Sequence, residues 1–437
     1  MLVGCDNTNN TEIPQQGSTD FMSYGGAVFP LSLMTPYEGI TATRNIVFDF
    51  NNFGRTDDEG FQMLHNDIRV TSNYYLTNDT EADKIVTVVY PFAANFGDLT
   101  RLLPSMIING AVVDTNLRAG DWMEIKTWRD YISYLYDGSY FQQAIGAVHD
   151  LNQQVIVYEF TNAQTDETNA IAPTLAASFN MDFDRTEILT YGFNGAVIDQ
   201  DNNFMRQAFF LPSGDGRSHF LIFIGDDITN LSLQGYGNGA LSRGDEIDVS
   251  VDVKRFEAVL GDVWQLLLYD FSDSFATNDW HSPHEAMKTD LFFNASATLL
   301  HDTQESEIIP RRIFFAIGTL EDLFSHTLWS NRFFYLTTEV TIPAGESIAI
   351  DVNKIRPGSF DFPKARQGTE GLNGYDMFLV LGSNLIFNSI SAEIIGTERI
   401  EIVRNNFGFD ANSVINNVNL NMEEQHFYIE VRNASRN

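Results

Sequence analysis

The sequence DIRVTSNYYLTNDTEADKIVTVVYPF, residues 67–92, carries the clearest β signal of the chain. Two runs in it, 67–77 and 84–92, are rich in β-branched and aromatic residues, which favour strands. Between them lies a polar segment, 78–83, that begins with Asn78 and contains two aspartates. Such side chains bond the nearby backbone and are typical of turns. The sequence therefore predicts a β-hairpin of the kind found in β-sandwiches.

Further strands are predicted on both sides of this hairpin. Asn109-Gly110, within 105–114, is the strongest short signal for a two-residue hairpin turn. Turn residues recur at intervals of about 10–15 residues, which is typical of antiparallel sheets rather than of βαβ units. The other predicted strands are 155–160, 175–183, 186–193, 205–211, 219–224, 333–342, 347–355, 389–395, 399–403 and 427–431, with a turn at 343–346.

Helical patterns interrupt the strands in two places. A pair of short helices is predicted at 127–135 and 139–148, each opened by a capping-box pattern. A helical block is predicted at 252–330, with one apolar stripe running from Phe256 to Phe271 and a second helix start at 282–285.

The fold class expected from these patterns is mainly β or α+β, with two antiparallel β-sandwich-like domains and helical insertions. The predicted divisions are a flexible tether at 1–24, an N-terminal sandwich with the helical pair at 25–165, and a C-terminal α+β domain at 166–437. The polar segment 162–173, which ends in proline, suggests the boundary.

Composition excludes several classes of protein. Hydrophobic residues make up 43% of the chain, enough to build real cores and to exclude global disorder. The formal net charge of −33 repels phosphate backbones, so nucleic acid is not expected as a partner. No apolar run approaches the roughly 18 residues that a membrane-spanning helix needs.

The single cysteine, Cys5, predicts where the protein is located. Leu2-Val3-Gly4-Cys5 matches the site at which bacterial signal peptidase cuts before a cysteine that is then lipidated, and the following polar segment 6–20 is typical of a tether. Only four residues precede Cys5, fewer than an export signal requires. We therefore expect a lipid-anchored protein on the outer face of the cell membrane, with a start upstream of Met1. A cytoplasmic protein is the alternative if Met1 is the true start.

Motifs of common enzymes are absent from the sequence, which has no Gly-x-Ser-x-Gly, no Gly-x-x-x-x-Gly-Lys and no His-Glu-x-x-His. The run 199–203 imitates the start of a calcium loop, but Phe204 and Phe210 replace the required glycine and glutamate, which favours a plain turn. Asp182 and Asp184 would share one face of a strand as a carboxylate pair. Such pairs arise often among 59 acidic residues.

His281 and His284 are the candidates for a metal site, with Asp279 nearby. Two imidazoles three residues apart can converge on a metal ion, but the spacing supplies no third ligand. The favoured interpretation is a solvated helix start, so neither a metal nor another cofactor is expected.

Aromatic and glycine-rich segments supply the candidate binding residues. Trp280 lies in a polar segment and is the best candidate for a surface tryptophan that stacks on a sugar. Tyr269 and Trp329 are further candidates, whereas Trp264 lies on the apolar stripe and is expected in the core. The loop 234–239 has three glycines and suggests a binding loop that presents Tyr236 and Asn238, although a plain connector is the alternative.

Several short motifs carry a resemblance to a known group of proteins. They are Thr77-Asn78-Asp79-Thr80, Tyr90-Pro91-Phe92, Phe96-Gly97-Asp98-Leu99, Leu233-Gln234-Gly235-Tyr236, Asn406-Phe407-Gly408-Phe409-Asp410 and Tyr428-Ile429-Glu430-Val431-Arg432. From about Gly25 onward the chain resembles a family of uncharacterised lipoproteins of Firmicutes. The resemblance implies export and a lipid anchor. It implies no activity, so no functional residue is carried over.

The function expected from the sequence is that of a surface-tethered binding or interaction module with an unknown ligand, a glycan or a protein at the cell surface being considered. The alternatives are an extracellular glycan or peptide hydrolase and a structural component of an envelope complex. Catalysis is not favoured, since no catalytic constellation is found. The sequence does not fix the oligomeric state.

Overall fold

A computed structural model describes residues 18–54, 66–136, 151–167, 170–211, 217–239, 245–273, 284–287, 289–302, 320–362, 368–409 and 416–434. In these residues the strands form five sheets, mostly antiparallel, and helices are few. The prediction of a mainly β or α+β fold is confirmed. None of the described helices is both long and apolar enough to span a bilayer.

The largest sheet, sheet I, joins strands from both ends of the chain. In order across the sheet they are β24 (Asn417–Asn419), β22 (Ile386–Ile395), β3 (Ile40–Asp49), β4 (Ile68–Asn78), β19 (Ser347–Arg356), β6 (Ser105–Ile108) and β7 (Ala111–Val112). β22 runs parallel to β3, and the other neighbours are antiparallel. β3 alternates buried and half-buried side chains along its whole length, as expected of a strand with one covered face.

Two smaller sheets cover the inner face of sheet I. Sheet II contains β2 (Ser32–Leu33), β5 (Lys84–Ala94), β18 (Arg332–Ile342) and β8 (Asn116–Trp122). Sheet III contains β1 (Ala27–Val28), β21 (Asn373–Phe378), β25 (His426–Asn433) and β23 (Ile400–Asn405), with β20 (Ser359–Phe360) beside β21. One core lies between sheets I and II and another between sheets I and III, so the three sheets form one sandwich.

A second sandwich is built from residues 154–259. Sheet IV contains β11 (Glu187–Tyr191), β14 (His219–Ile224), β9 (Gln154–Gln164) and β17 (Ser250–Val259). Sheet V contains β12 (Gly195–Asp199), β13 (Phe204–Phe210), β10 (Thr174–Asn180), β15 (Thr229–Tyr236) and β16 (Glu246–Ile247). Phenylalanine and aliphatic side chains of both sheets form the core between them.

Six helices were found in the described residues, and four of them connect the two sandwiches. They are α1 (Leu99–Leu102), α2 (Trp128–Tyr136), α3 (Leu260–Asp273), α4 (His284–Met287), α5 (Asp290–Asp302) and α6 (Leu320–Trp329), besides a 3₁₀ turn at Thr397–Arg399. Apolar side chains of α3–α6 share one core with sheets I, II and IV. Sheet IV is thus covered on both faces, which explains the unbroken apolar run of β14.

The sheets do not follow the predicted division at residues 165 and 166. β9 ends at Gln164 and pairs with β14 and β17, which lie beyond that point. β5 pairs with β18, and β3 with β22, across more than 230 residues of chain. The second sandwich is therefore an insertion between β8 and β18 of the first. The polar residues of segment 162–173 suggested a domain boundary there, but the pairing of strands that are distant in the chain determines which residues belong to each sandwich.

Two local predictions need correction, and a third is confirmed. The helical block was predicted to start at residue 252, but α3 starts at Leu260. Residues 252–259 belong to β17, which pairs with β9 at a sheet edge. The predicted hairpin at 67–92 is wrong: both strands form, but β4 lies in sheet I and β5 in sheet II. The hairpin at Asn109-Gly110 is confirmed, with φ angles of 49° and 81° and with Ile107 opposite Val112. The predicted helix at 139–148 lies outside the described residues.

Two segments, residues 79–83 and residues 343–346, lie side by side, and each carries the chain from one sheet to the other. We call them the paired crossings. The first links β4 to β5, and the second links β18 to β19. Lys84 lies opposite Ile342 in sheet II, and Thr77 lies opposite Ser347 in sheet I. The turns predicted at both places are confirmed, but each turn spans two layers instead of closing a hairpin.

The side chain of Asn78, which is fully buried, holds the paired crossings together. Its Nδ2 donates to the carbonyl oxygens of Ala82 and Ile342, at 2.8 and 3.0 Å. Its Oδ1 accepts from the backbone N and the hydroxyl of Thr80, at 3.1 and 2.7 Å. The backbone of Asn78 also bonds Glu346 and Gly345. One side chain thus satisfies buried polar groups of both crossings.

Replacing Asn78 with alanine is expected to lower the free energy of unfolding by about 2–4 kcal/mol, because buried carbonyls then lose their donors. Urea denaturation measures the loss. Asn73 lies on the same strand, half-buried, and makes one side-chain bond to Asp351, so Asn73→Ala should cost less than about 1 kcal/mol. Equal effects of the two substitutions would contradict this role for Asn78.

Candidate functional site

A cavity of about 300 Å³ lies in the first sandwich, where the segment 23–26 meets β5, α1 and α2. Its described lining is mainly polar or backbone and includes Tyr24, Asn66, Asn95, Arg101, Tyr131 and Asn331. A second, smaller pocket of about 130 Å³ lies between α3 and α5 and includes Tyr269. We take the larger cavity as the candidate site because several charged and hydroxyl groups converge on it.

The chain just before β1 forms one wall of the cavity and is held in place by hydrogen bonds. The backbone of Ser23 exchanges two bonds with that of Phe360, both of 2.9 Å. The Gly25 backbone N donates to Ser359 Oγ at 2.9 Å. Further back, the Thr19 backbone N donates to Glu430 at 2.6 Å. The predicted tether at 1–24 therefore extends too far: residues 18–24 are packed, and residues 1–17 lie outside the described residues.

Helix α2 forms a second wall and presents Tyr131. The Asp130 carboxylate accepts from the backbone N of Lys126 and of Thr127, at 2.8 and 2.7 Å, so the predicted capping pattern at 127–130 is confirmed. Trp128 donates from Nε1 to Ser18 Oγ at 3.1 Å. The ring of Tyr131 packs against aromatic rings of sheets II and III. The cap and these contacts fix the position of the Tyr131 hydroxyl.

Gly26 marks the point at which Tyr131 and Arg356 approach the same backbone. Its φ of 97° is one that glycine adopts without strain. A methyl group at this position would lie 3.1 Å from Tyr131 Oη and 3.6 Å from Arg356 Nη1. Any larger residue at Gly26 would therefore crowd both groups.

On another side of the cavity, Arg101 is balanced by two carboxylates. Its Nη1 bonds Asp67 Oδ2 at 2.5 Å, and its Nη2 bonds Asp98 Oδ1 at 3.2 Å. The Asp67 side chain is fully buried. Asn95 fixes Asp98 by accepting from its backbone N at 2.8 Å and by donating to its carboxylate at 3.2 Å. The group formed by Arg101, Asp67 and Asp98, of which Arg101 and Asp98 line the cavity, therefore carries more negative than positive charge.

Arg356, behind the Gly26 wall, is only 2% exposed. Its Nη1 donates to the Gly25 carbonyl, whereas its Nε and Nη2 have no hydrogen-bond partner in the described part of the chain. Burial raises the pKa of Tyr131, and the Arg356 charge acts in the opposite direction. Burial and the adjacent Asp376 carboxylate raise the pKa of Tyr24, while Arg356 again lowers it. The charge of the guanidinium therefore acts on both hydroxyl groups.

Lys354 lies two residues before Arg356 on the same buried face of β19 and is 9% exposed. Burial, together with the nearby positive charge of Arg356, lowers the pKa of its ammonium to about 7. No hydrogen bond or ion pair of Lys354 is found in the described part of the chain. Two cations thus point inward from neighbouring positions of one strand.

Of the candidate residues proposed from sequence, none of those that the structure describes lines this cavity. Cys5, Trp280, His281 and Asp279 lie outside the described residues. His284 is the first residue of α4, and its side chain is not described.

The glycine-rich loop and the other sequence candidates occupy different places. Tyr236 was expected to be exposed but is 7% exposed and packs against Ala176 and Ala208, because it belongs to β15 rather than to a loop. Asn238 is exposed and forms a β-bridge with Ala172.

The acidic groupings and the tryptophans can also be placed. Asp182 and Asp184 lie in a turn, with the Asp184 backbone N bonded to the Asp182 carboxylate, and do not share a strand face. The run 199–203 is a turn, as predicted. Trp264 is fully buried, as expected. Tyr269 and Trp329 are 58% and 48% exposed. No group of three or more potential metal-binding side chains was found among the described residues.

Comparisons with known proteins give little guidance to the function. No protein-family model matches the chain, and no curated protein matches it significantly. Among solved structures, the chain is similar to a protein of Legionella pneumophila described as a "putative nutrient binding protein". The TM-score is 0.32 and the identity 6%, covering 93% of this chain and 70% of that one. A similarity this weak carries no argument about fold or ligand.

The lowered pKa of Lys354 predicts a pH-dependent stability. In the unfolded chain the pKa of a lysine is about 10.4. Between pH 7 and that value the unfolded chain binds more protons than the folded chain, so the free energy of unfolding should rise with pH through this window. Lys354→Met removes this contribution. The variant should exceed the wild type by a few kcal/mol near pH 6–7, and the difference should vanish near pH 10.

Urea denaturation at several pH values between 6 and 10 measures this difference. Lys126, whose side chain is 76% exposed, supplies the control. Lys126→Met should leave the shape of the stability curve nearly unchanged. If the curves of the wild type and of Lys354→Met ran parallel over the whole range, Lys354 would not be the buried cation described above.

Proposed function

We propose that the protein is a lipid-anchored binding protein on the outer face of the cell membrane and that it binds a small polar solute in the 300 Å³ cavity. The observation that carries the binding role is the cavity itself, which has polar walls and adjoins a buried guanidinium with a single acceptor among the described residues. Small-molecule sites are concave and contain a few fixed polar groups of this kind.

The composition of the lining favours binding over hydrolysis. Among the described lining residues there is no histidine or cysteine, and the one carboxylate is Asp98. That carboxylate is bonded to Arg101 and Asn95. A glycan hydrolase of the common kind requires two carboxyl groups about 5–10 Å apart across the substrate. A nucleophile–base pair is likewise absent from the described lining.

The anchored location is supported by Cys5 and its neighbours in the sequence. The small residue before this cysteine and the polar stretch after it fit a lipid-attachment site. Residues 18–26 lead directly into the cavity wall. In an anchored protein the binding cavity would therefore be joined to the membrane by a short segment of fewer than twenty residues.

Cavity binding is tested by filling the site from its rim. Asn331 lines the cavity, is exposed, and its side chain makes no hydrogen bond in the described part of the chain. A tryptophan there should occupy the space that a solute needs. We expect a panel of amino acids, carboxylates, sugars and short peptides to contain solutes that raise the melting temperature of the wild type but not of Asn331→Trp.

Thr341 provides the matched control, since it is exposed on β18, the strand that follows Asn331, and does not line the cavity. Thr341→Trp should respond to the same solutes as the wild type. If Asn331→Trp bound them equally well, the cavity would not be the site. If no solute of the panel stabilised the wild type at millimolar concentration, the small-solute proposal would be wrong.

Anchoring is tested by expressing the protein from its native locus, including the DNA upstream of Met1, with a labelled fatty acid. We expect the label and membrane association in the wild type and the loss of both in Cys5→Ala, because the thioether anchor needs the thiol of that residue. An unlabelled cytoplasmic product in both strains would refute the anchored location.

A further inference from the structure

Two buried arginines of sheet I differ sharply in how the protein satisfies them. Arg44 and Arg356 are each 2% exposed. Arg44 donates to the carbonyl oxygens of Phe378, Leu379 and Phe29, each at 3.1 Å, and its guanidinium lies 5.5 Å from the ring centre of Tyr74. Among the described residues Arg356 has one acceptor, the Gly25 carbonyl. Arg44 is thus a structural arginine, whereas most of the donor capacity of Arg356 is unused.

The unused donors of Arg356 have a defined chemical preference. A guanidinium carries five N–H groups in a fixed planar fork that matches the two oxygens of a carboxylate. Nε and Nη2, the two atoms without a partner, form one edge of that fork. In the described part of the chain no carboxylate lies within ion-pair distance of Arg356 or of Lys354. Buried charges are ordinarily paired, so an anion is the kind of partner that this guanidinium would accept.

We propose that the cavity binds a small solute bearing a carboxylate, which is held by the Arg356 guanidinium and the Tyr131 hydroxyl. This inference rests on the proposed function and specifies its ligand class. Both groups converge on Gly26, which lines the cavity and has no side chain to separate them from a ligand. Lys354 adds a second positive charge on the same strand face.

Contact with the fork requires a local movement. Nε and Nη2 are shielded from solvent, and Nη1 is bonded to the Gly25 carbonyl. The carboxylate therefore reaches the guanidinium when segment 23–26, which forms one wall of the cavity, shifts away from it. Carboxylate binding replaces the Gly25 carbonyl with a charged acceptor, and this exchange is favourable because charge-assisted hydrogen bonds are stronger.

A carboxylate fits this site better than a phosphate group. Arg101, which lines the cavity, is already bonded to the carboxylates of Asp67 and Asp98, so this group of three side chains carries one net negative charge, which disfavours a dianion. The net charge of −33 on the whole chain further disfavours polyanionic ligands. A ligand that also carries an ammonium group, such as a free amino acid, presents the same carboxylate and could direct its cation toward Asp98.

The test uses the purified full chain and isothermal titration at constant ionic strength. The probes are monocarboxylates of two to six carbons, free amino acids, the amides of both series, and inorganic phosphate. We expect at least one carboxylate or amino acid to bind and its amide to bind at least tenfold more weakly. Arg356→Gln should weaken that binding about 100-fold, and Tyr131→Phe, which removes only a hydroxyl, about tenfold.

Arg185, whose side chain is 67% exposed, supplies a control for charge alone, and Arg185→Gln should bind as the wild type does. Stability separates a binding role from a structural one. Arg356→Met should leave the melting temperature of the ligand-free protein unchanged or raise it, because an uncompensated buried charge is removed. Arg44→Met should lower it, because three buried carbonyls lose their donor.

The outcomes separate this inference from the proposed function. If neutral solutes bound to the wild type and were lost in Asn331→Trp while no carboxylate bound, the cavity would remain a binding site and the carboxylate assignment would be wrong. Phosphate binding stronger than that of every carboxylate would also overturn it. Binding unaffected by Tyr131→Phe and Arg356→Gln would place the carboxylate elsewhere. If Arg356→Gln failed to fold, Tyr131→Phe would decide.

Discussion

The pairing of four distant strands around the buried side chain of Asn78 is the constraint on which the rest of the structure depends. β4 pairs with β19 in one layer and β5 with β18 in the other, so the two chain segments cross between the layers together. A polar side chain in that interior is tolerated only because every hydrogen-bonding group of it is used. The same four strands place Arg356 at the end of β19 and the cavity at the end of β5.

The sequence predicts the strand content well and the pairing poorly, for a physical reason. Alternating apolar residues and turn chemistry are local, and Asn109-Gly110 encodes its hairpin in two residues. The segment 78–83 has equally strong turn chemistry, yet its strands pair with partners about 260 residues away. A polar turn fixes where a strand ends but not which strand lies beside it. The start of α3 was misplaced similarly, since the strand character of β17 depends on its partner β9.

The motifs that look exposed in the sequence do not indicate the candidate site, whereas charged residues at core-facing positions of a strand do. In β19 the residues at every second position, Ile348, Ile350 and Val352, face the core, and Lys354 and Arg356 continue that series. The alternation of core-facing and outward-facing residues in the sequence is enough to show that these two cations lie on the apolar face of the strand. Tyr24 and Gly26 gave no such signal, since their importance arises from contacts with residues far along the chain.

The charges of the surface and of the interior act over different ranges. Exposed carboxylates, which dominate the net charge of −33, are screened by salt beyond about 8 Å at physiological ionic strength. The buried guanidinium of Arg356 lies in a medium of low polarity, so its charge is weakly screened and acts strongly on groups at the adjacent cavity wall. An apolar residue of similar volume would stabilise the ligand-free fold at least as well. The retention of an arginine with one acceptor therefore needs an explanation other than stability, and a bound anion provides it.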